Sequence, residues 1–195
     1  MDINKITTST PLILRFYARC LLFPYEEMNY ELHHLFRTLE SSANEEDEYD
    51  YVEQILNVIN QYQGEEINSL RSDYAMLFSY RQDSKPLCPM VAGDFLAGFA
   101  KHYDSDELIE RLLNSELMLD HEEPLDSVIN YLEYFSLICD NLLLGEENSI
   151  EIENFYEEHI LNWIPNFCDV LYKACNVSFY RELAVGLKEY LFFLI

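Results

Sequence analysis

The sequence predicts an all-α fold, a compact bundle of about eight to ten helices. Three observations lead there. Apolar residues recur at three- and four-residue spacing along most of the 195 residues. Only five glycines and six prolines punctuate the chain. Alternating β-branched runs bounded by turns are absent. With 49% hydrophobic and 25% charged residues, the chain has enough apolar surface to close a core. No internal repeat and no linker composition divides it, so residues 1–195 are expected to form a single domain.

Thr10 followed by Pro11 predicts an N-cap and a first helical position. Leu12, Phe16, Cys20 and Phe23 then mark one apolar face, stopped by Pro24. A second helix carries Leu32, Leu35, Phe36 and Leu39. Asn44 is expected to open a third, with Glu45, Glu46, Asp47 and Glu48 in its first turn, where the helix dipole favours anions. Val52, Ile55, Leu56, Ile59 and Tyr62 follow, and Gly64 ends it. A fourth helix holds Ile67, Leu70, Tyr74, Leu77 and Phe78. Residues 79–93, with Pro86, Pro89 and Gly93, have no usable period and predict a long loop between two helical halves.

One helix or a pair is expected over 94–118. Pro124 heads a strong helix over 124–144, with Val128, Leu132, Phe135, Cys139 and Leu142 in one stripe and Ile129, Ile138 and Leu143 widening it. Its polar face is narrow (Asp126, Asn130, Glu133, Asp140), which predicts a central position, and Gly145 ends it. The next helix is expected from Ser149 to Trp163, and Pro165 starts or kinks another that reaches Cys175. The last presents Tyr180, Leu183, Ala184, Leu187, Tyr190, Leu191 and Leu194 on one side.

Charge excludes whole classes of partner. Twelve Lys and Arg face 36 Asp and Glu, a net charge of −24. A nucleic-acid binder needs a basic footprint, and stable attachment to an anionic membrane is disfavoured for the same reason. No apolar signal core precedes Pro11 and no apolar run is long enough to span a bilayer, so a cytoplasmic protein is expected. The five cysteines (Cys20, Cys88, Cys139, Cys168, Cys175) are odd in number and form no C-x-x-C, which suits a reducing compartment. Four of them lie in apolar helical patterns. Cys88 lies in the loop, with no activating motif beside it.

No motif for catalysis is present. A nucleotide-cradling glycine loop, G-x-S-x-G, and H-E-x-x-H or E-x-x-H metal pairs are all missing. His33 and His34 are adjacent and so diverge by about 100° on a helix. Asp120-His121 reverses the His-Asp order of metal-dependent helical phosphohydrolases, without a supporting third histidine. The expectation is therefore no catalytic residue, no metal and no cofactor, in a protein that is not an enzyme. A helical metal-dependent hydrolase is the alternative from another class, and metal analysis of the purified protein separates the two. The blandest alternative is an acidic helical protein with an unrelated client.

The distribution of charge is more informative than its total. From Leu112 through Tyr172 there is no lysine or arginine, while fourteen acids lie between Glu116 and Asp169. Such a stretch is either a solubilising surface or one that receives a basic peptide. Exposed carboxylate–arginine contacts contribute only about 0–1 kcal/mol each, so affinity would come from an apolar groove and charge would set approach and choice of partner.

Three ordered segments carry a resemblance. The first is Tyr74-Ala75-Met76-Leu77-Phe78, followed after a polar loop by Pro86-Leu87-Cys88-Pro89-Met90. The second is Glu123-Pro124-Leu125-Asp126-Ser127. The third is His159-x-x-x-Trp163-x-Pro165-x-Phe167, continuing to Phe179-Tyr180-x-x-Leu183-Ala184. Across residues 11–194 the chain resembles the TorD/DmsD/NarJ family of molybdoenzyme chaperones, the redox enzyme maturation proteins. The resemblance implies an all-helical cytoplasmic chaperone that catalyses no reaction. Such a chaperone binds the twin-arginine signal peptide and the body of a molybdopterin-dependent catalytic subunit of the DMSO or TMAO reductase type, and holds it from export until its cofactor is inserted. A NarJ-like assembly factor for a non-exported nitrate reductase is the alternative within the family. A monomer or a domain-swapped homodimer and weak guanine-nucleotide binding are further family traits. The peptide-binding residues implied are Tyr74, Phe78, Cys88, Pro89, Met90, Glu123, Pro124, Asp126 and Ser127. Two positions depart from the family pattern: Ser127 stands where histidine is usual, and Met90 where tyrosine is usual after the loop proline.

Overall fold

A computed structural model describes residues 1–42, 46–79, 85–96, 105–115, 117 and 124–195. Its helices are α1 (Thr10–Cys20), α2 (Met28–Ser42), α3 (Glu46–Gly64), α4 (Ile67–Phe78), α5 (Ala92–Leu96), α6 (Ser105–Asn114), α7 (Val128–Leu144), α8 (Ser149–Phe155), α9 (Ile164–Ala174) and α10 (Ser178–Phe193). The fold is all-α. Among the described residues the one extended pairing is a single antiparallel bridge between Val91 and Ser127.

The centre is built on α1, which packs against α7, α2 and α10. It begins one residue before the expected position: Ser9 is the N-cap and Pro11 lies in the first turn, where a missing N–H costs nothing. Ile13, Leu14, Phe16, Tyr17, Ala18 and Cys20 are all buried, so more than one side of the helix is covered. The apolar face predicted from Leu12 to Phe23 ends early. The helix stops at Cys20, the chain turns, and Phe23 emerges 51% exposed. Its ring still meets Tyr74 edge-on at 5.3 Å and lies under the Arg71 guanidinium at 5.8 Å.

Helix α7 occupies the central position its wide apolar stripe predicts. Val128, Ile129, Leu132, Phe135, Ile138 and Cys139 are buried, although Leu143 is exposed. Ser136 Oγ donates to Pro11 O at 3.0 Å, and Arg15 pairs with Asp140 at 2.5 Å, joining α7 to α1 through polar contacts as well as packing. Gly145 ends the helix with φ +76°. There Gly145 N donates to Leu142 O and Glu146 N to Asn141 O, so the last carbonyls are satisfied as a glycine C-terminus allows.

The continuous helix expected from Ser149 to Trp163 is divided. Helix α8 passes into a π-helical turn, Tyr156–Ile160, where Leu161 N donates to Tyr156 O, five residues back. Pro165 has no N–H to offer Leu161 O, so the α-helical ladder fails there and restarts in α9. The wider turn lets Phe155, Tyr156, Ile160, Trp163 and Ile164 all enter the core. Helix α10 packs on α9, α3 and α1, and its predicted stripe from Tyr180 to Leu194 is buried.

Candidate functional site

The implied peptide-binding residues come from two stretches that meet at the N-terminal end of α7. Residues 85–91 leave α4 and run against it: Cys88 N donates to Leu77 O at 2.8 Å. Val128 N donates to Met90 O at 2.7 Å and Ala92 N to Asp126 O at 3.0 Å, so the loop is tied to the start of α7 on both sides of the Val91–Ser127 bridge. Helix α5 begins there and packs on α9. Lys85 pairs with Asp94 at 2.6 Å on the surface.

The structure separates these residues by role. Tyr74, Phe78, Cys88 and Met90 belong to the core. The Tyr74 and Phe78 rings meet at 4.8 Å, and Phe78 stacks on Phe167 at 6.5 Å and meets Tyr180 edge-on at 5.7 Å. Cys88 is fully buried with Sγ 3.8 Å from Phe167 O, and burial pushes its thiol well above the usual range. A neutral, enclosed thiol is neither nucleophile nor ligand. The other four cysteines are buried and unpaired too.

Ser127 is also fully buried and caps α7, its Oγ accepting from Asn130 N at 3.3 Å. Asn130 Nδ2 returns to Pro124 O at 3.0 Å and so fixes the turn before the helix. Pro124 is exposed, and Pro89 and Asp126 are half-buried. The Asp126 carboxylate lies over Gly93, with Oδ2 3.7 Å from where a Cβ would stand. Glu123 lies outside the described residues, as do Asn44, Glu45, His102, Asp120 and His121.

Sequence reasoning missed Phe95. Its ring packs on Trp163 at 5.7 Å and on Phe167 at 6.2 Å, placing α5 against α9 beneath the loop. The signal was weak because only one short helical turn surrounds it. Reasoning from sequence also missed a cavity of about 640 Å³ toward the C-terminal end of α7, lined by residues of α6 as well, a juxtaposition no periodicity encodes.

Among the described residues, no group of three His, Cys, Asp or Glu is arranged to hold a metal ion. No described helix is long and apolar enough to cross a membrane.

Residues 42–169 match the sequence pattern of the family described as nitrate reductase delta subunit. No curated protein matches the sequence. The fold is similar to a crystal structure assigned to a redox enzyme maturation protein from Archaeoglobus fulgidus, with a TM-score of 0.58 and 14% identity over 93% of each chain. At that identity the likeness is one of fold.

Proposed function

The chain belongs to the nitrate reductase delta subunit family, and from that membership we propose that it is a cytoplasmic maturation chaperone, not an enzyme. Residues 1–195 act as one domain that binds the N-terminal leader of a molybdoenzyme catalytic subunit and holds the subunit until its cofactor is inserted. The family match over residues 42–169 is the observation that carries this reading. Charge supports it: a leader with a basic head and an apolar continuation complements a chain of net charge −24.

Asp126 is the proposed partner of a leader arginine, beside Pro89 and Pro124, since these three reach solvent. Tyr74, Phe78, Cys88, Met90 and Ser127 act beneath them by fixing the loop and the start of α7. Glu123 completes the expected set by its place in sequence. Two clients fit this mechanism: an exported reductase of the DMSO or TMAO type with a full twin-arginine signal, and a non-exported nitrate reductase with a remnant leader. The family match fits both clients equally.

Calorimetric titration with leaders from the same organism's molybdoenzymes tests the function, with Arg-Arg→Ala-Ala peptides as controls. Micromolar binding to one leader, lost in its control, is expected, and the leader that binds names the client. Asp126→Ala should weaken it more than neutralising three carboxylates among residues 45–48. Equal losses would reduce recognition to general charge attraction. Failure of every leader, or a stoichiometric transition metal in the purified protein, would overturn the reading.

A further inference from the structure

After Arg111 the chain carries sixteen Asp and Glu but only three cations, Lys173, Arg181 and Lys188. All three lie on the helix pair α9 and α10. Lys188 Nζ pairs with Asp169 of α9 at 2.6 Å, and Lys173 follows Asp169 by one helical turn. Arg181 of α10 lies over the Tyr172 ring of α9 at 5.9 Å, and Lys188 lies over the Phe192 ring at 5.9 Å. Both rings reach solvent, Tyr172 at 48% and Phe192 at 49% exposure. Arg181, Val185, Lys188 and Phe192 recur at i, i+4, i+7 and i+11, so they form one stripe along α10, about 16 Å long. None of the four is buried. Glu182 and Glu189 stand on the adjoining flank, where Glu189 meets Gln54 of α3. A chain of net charge −24 thus presents one outer face with three cations, two exposed rings and a single carboxylate, Asp169.

This face repels a basic leader. It suits a partner of the opposite charge that also carries apolar side chains. Arg181 and Lys188 are already held over aromatic rings, so little further order is lost when a carboxylate arrives. A small free anion would meet the cations but leave Tyr172, Val185 and Phe192 uncovered. An anionic bilayer is a plane and would confront the acidic body of the chain along with the stripe. A single helix is about 10–12 Å across, close to the screening length of about 8 Å at physiological salt, so it can meet the stripe without facing the rest of the charge.

We propose that the outer face of α9 and α10 is a docking site for an acidic amphipathic helix of a protein other than the client. Carboxylates of that helix reach Lys173, Arg181 and Lys188, and its apolar side chains cover Tyr172, Val185 and Phe192. The proposal is independent of the leader-binding reading, and its test uses no leader.

The full chain with Phe192→p-benzoylphenylalanine, produced in the source organism's cells and irradiated, tests it. Mass spectrometry of the adduct should map the cross-link to a second protein, in a segment with Asp or Glu and apolar residues at helical spacing. A synthetic peptide of that segment should bind the unmodified chain and weaken as NaCl is raised. Lys173→Gln with Arg181→Gln should weaken it about fivefold, as expected for the loss of two surface charge contacts. Both side chains are exposed, and the salt series gives a readout that needs no variant. Cross-links confined to the molybdoenzyme subunit, to a second copy of this chain or to lipid overturn the proposal. So does the absence of any cross-link, or peptide binding that neither salt nor the double variant changes.

Discussion

The buried carboxylate of Asp73 in α4 holds the chain at Asn176, just before α10. Its Oδ2 accepts from Asn176 N at 3.0 Å and from Val177 N at 3.2 Å, while Oδ1 accepts from Asn176 Nδ2 at 2.9 Å. The first N–H groups of a helix and the turn before it lack intrahelical acceptors, and here one side chain from a distant helix supplies them. The contact also fixes where α10 starts relative to α4, and so where Tyr180 meets Phe78.

Asp73→Ala is expected to destabilise the protein by about 2 kcal/mol, because three part-buried donors lose a charged acceptor. Asp73→Asn keeps one acceptor oxygen but turns an NH₂ group toward other donors, so it should lose somewhat less. Urea midpoints for both variants check this. A loss within error for Asp73→Ala would mean that water replaces the carboxylate at no cost.

Gly186 of α10 faces Tyr17 of α1 so closely that a Cβ would lie 2.6 Å from the tyrosine hydroxyl. That hydroxyl is buried without a hydrogen-bond partner. Gly186→Ala should therefore cost about 1–3 kcal/mol by overpacking. Tyr17→Phe removes both the unpaired oxygen and the obstacle, so alone it is neutral or stabilising, and it should rescue much of the glycine variant's loss. Thermal unfolding of the two single variants and the double variant forms the cycle. Strict additivity would refute the contact as the cause.

How much was legible in the sequence follows from the range of each interaction. The stripe of α10 and the central place of α7 were legible because local periodicity alone sets which side chains face inward. Phe23 was misread because the period was extended past Cys20, where the helix had already ended. The π-helical turn at Tyr156–Ile160 was not legible, since an added residue in the ladder has no signature in spacing; the Tyr156 hydroxyl donates to Leu191 O, a partner 35 residues away. At the candidate site, the order of the segments located the meeting of loop and helix. It did not separate burial from exposure. Ser127 reads as a polar contact in sequence, yet it is enclosed and caps α7. Cys88 reads as a loop thiol, yet Leu77 O and Phe167 O, from two separate helices, hold it in the core.

Glu133 offers a test of the central helix by pH. It is partly buried on α7, and burial pushes its carboxyl above the ordinary value of 4.5, while Arg15 and Arg19 on α1 pull it back only in part. In the unfolded chain the same group ionises at the ordinary value. Between the two values the native state binds more protons than the unfolded state, so stability falls as pH rises through that interval. Above the native value the cost of holding a buried charge is fully present, and below 4.5 it is absent. Glu133→Gln should thus raise the urea midpoint near neutral pH, at about pH 7, and leave it unchanged at about pH 3, where both proteins carry a neutral side chain. A lower midpoint for Glu133→Gln at neutral pH would show that attraction to Arg15 and Arg19 outweighs the burial of the charge.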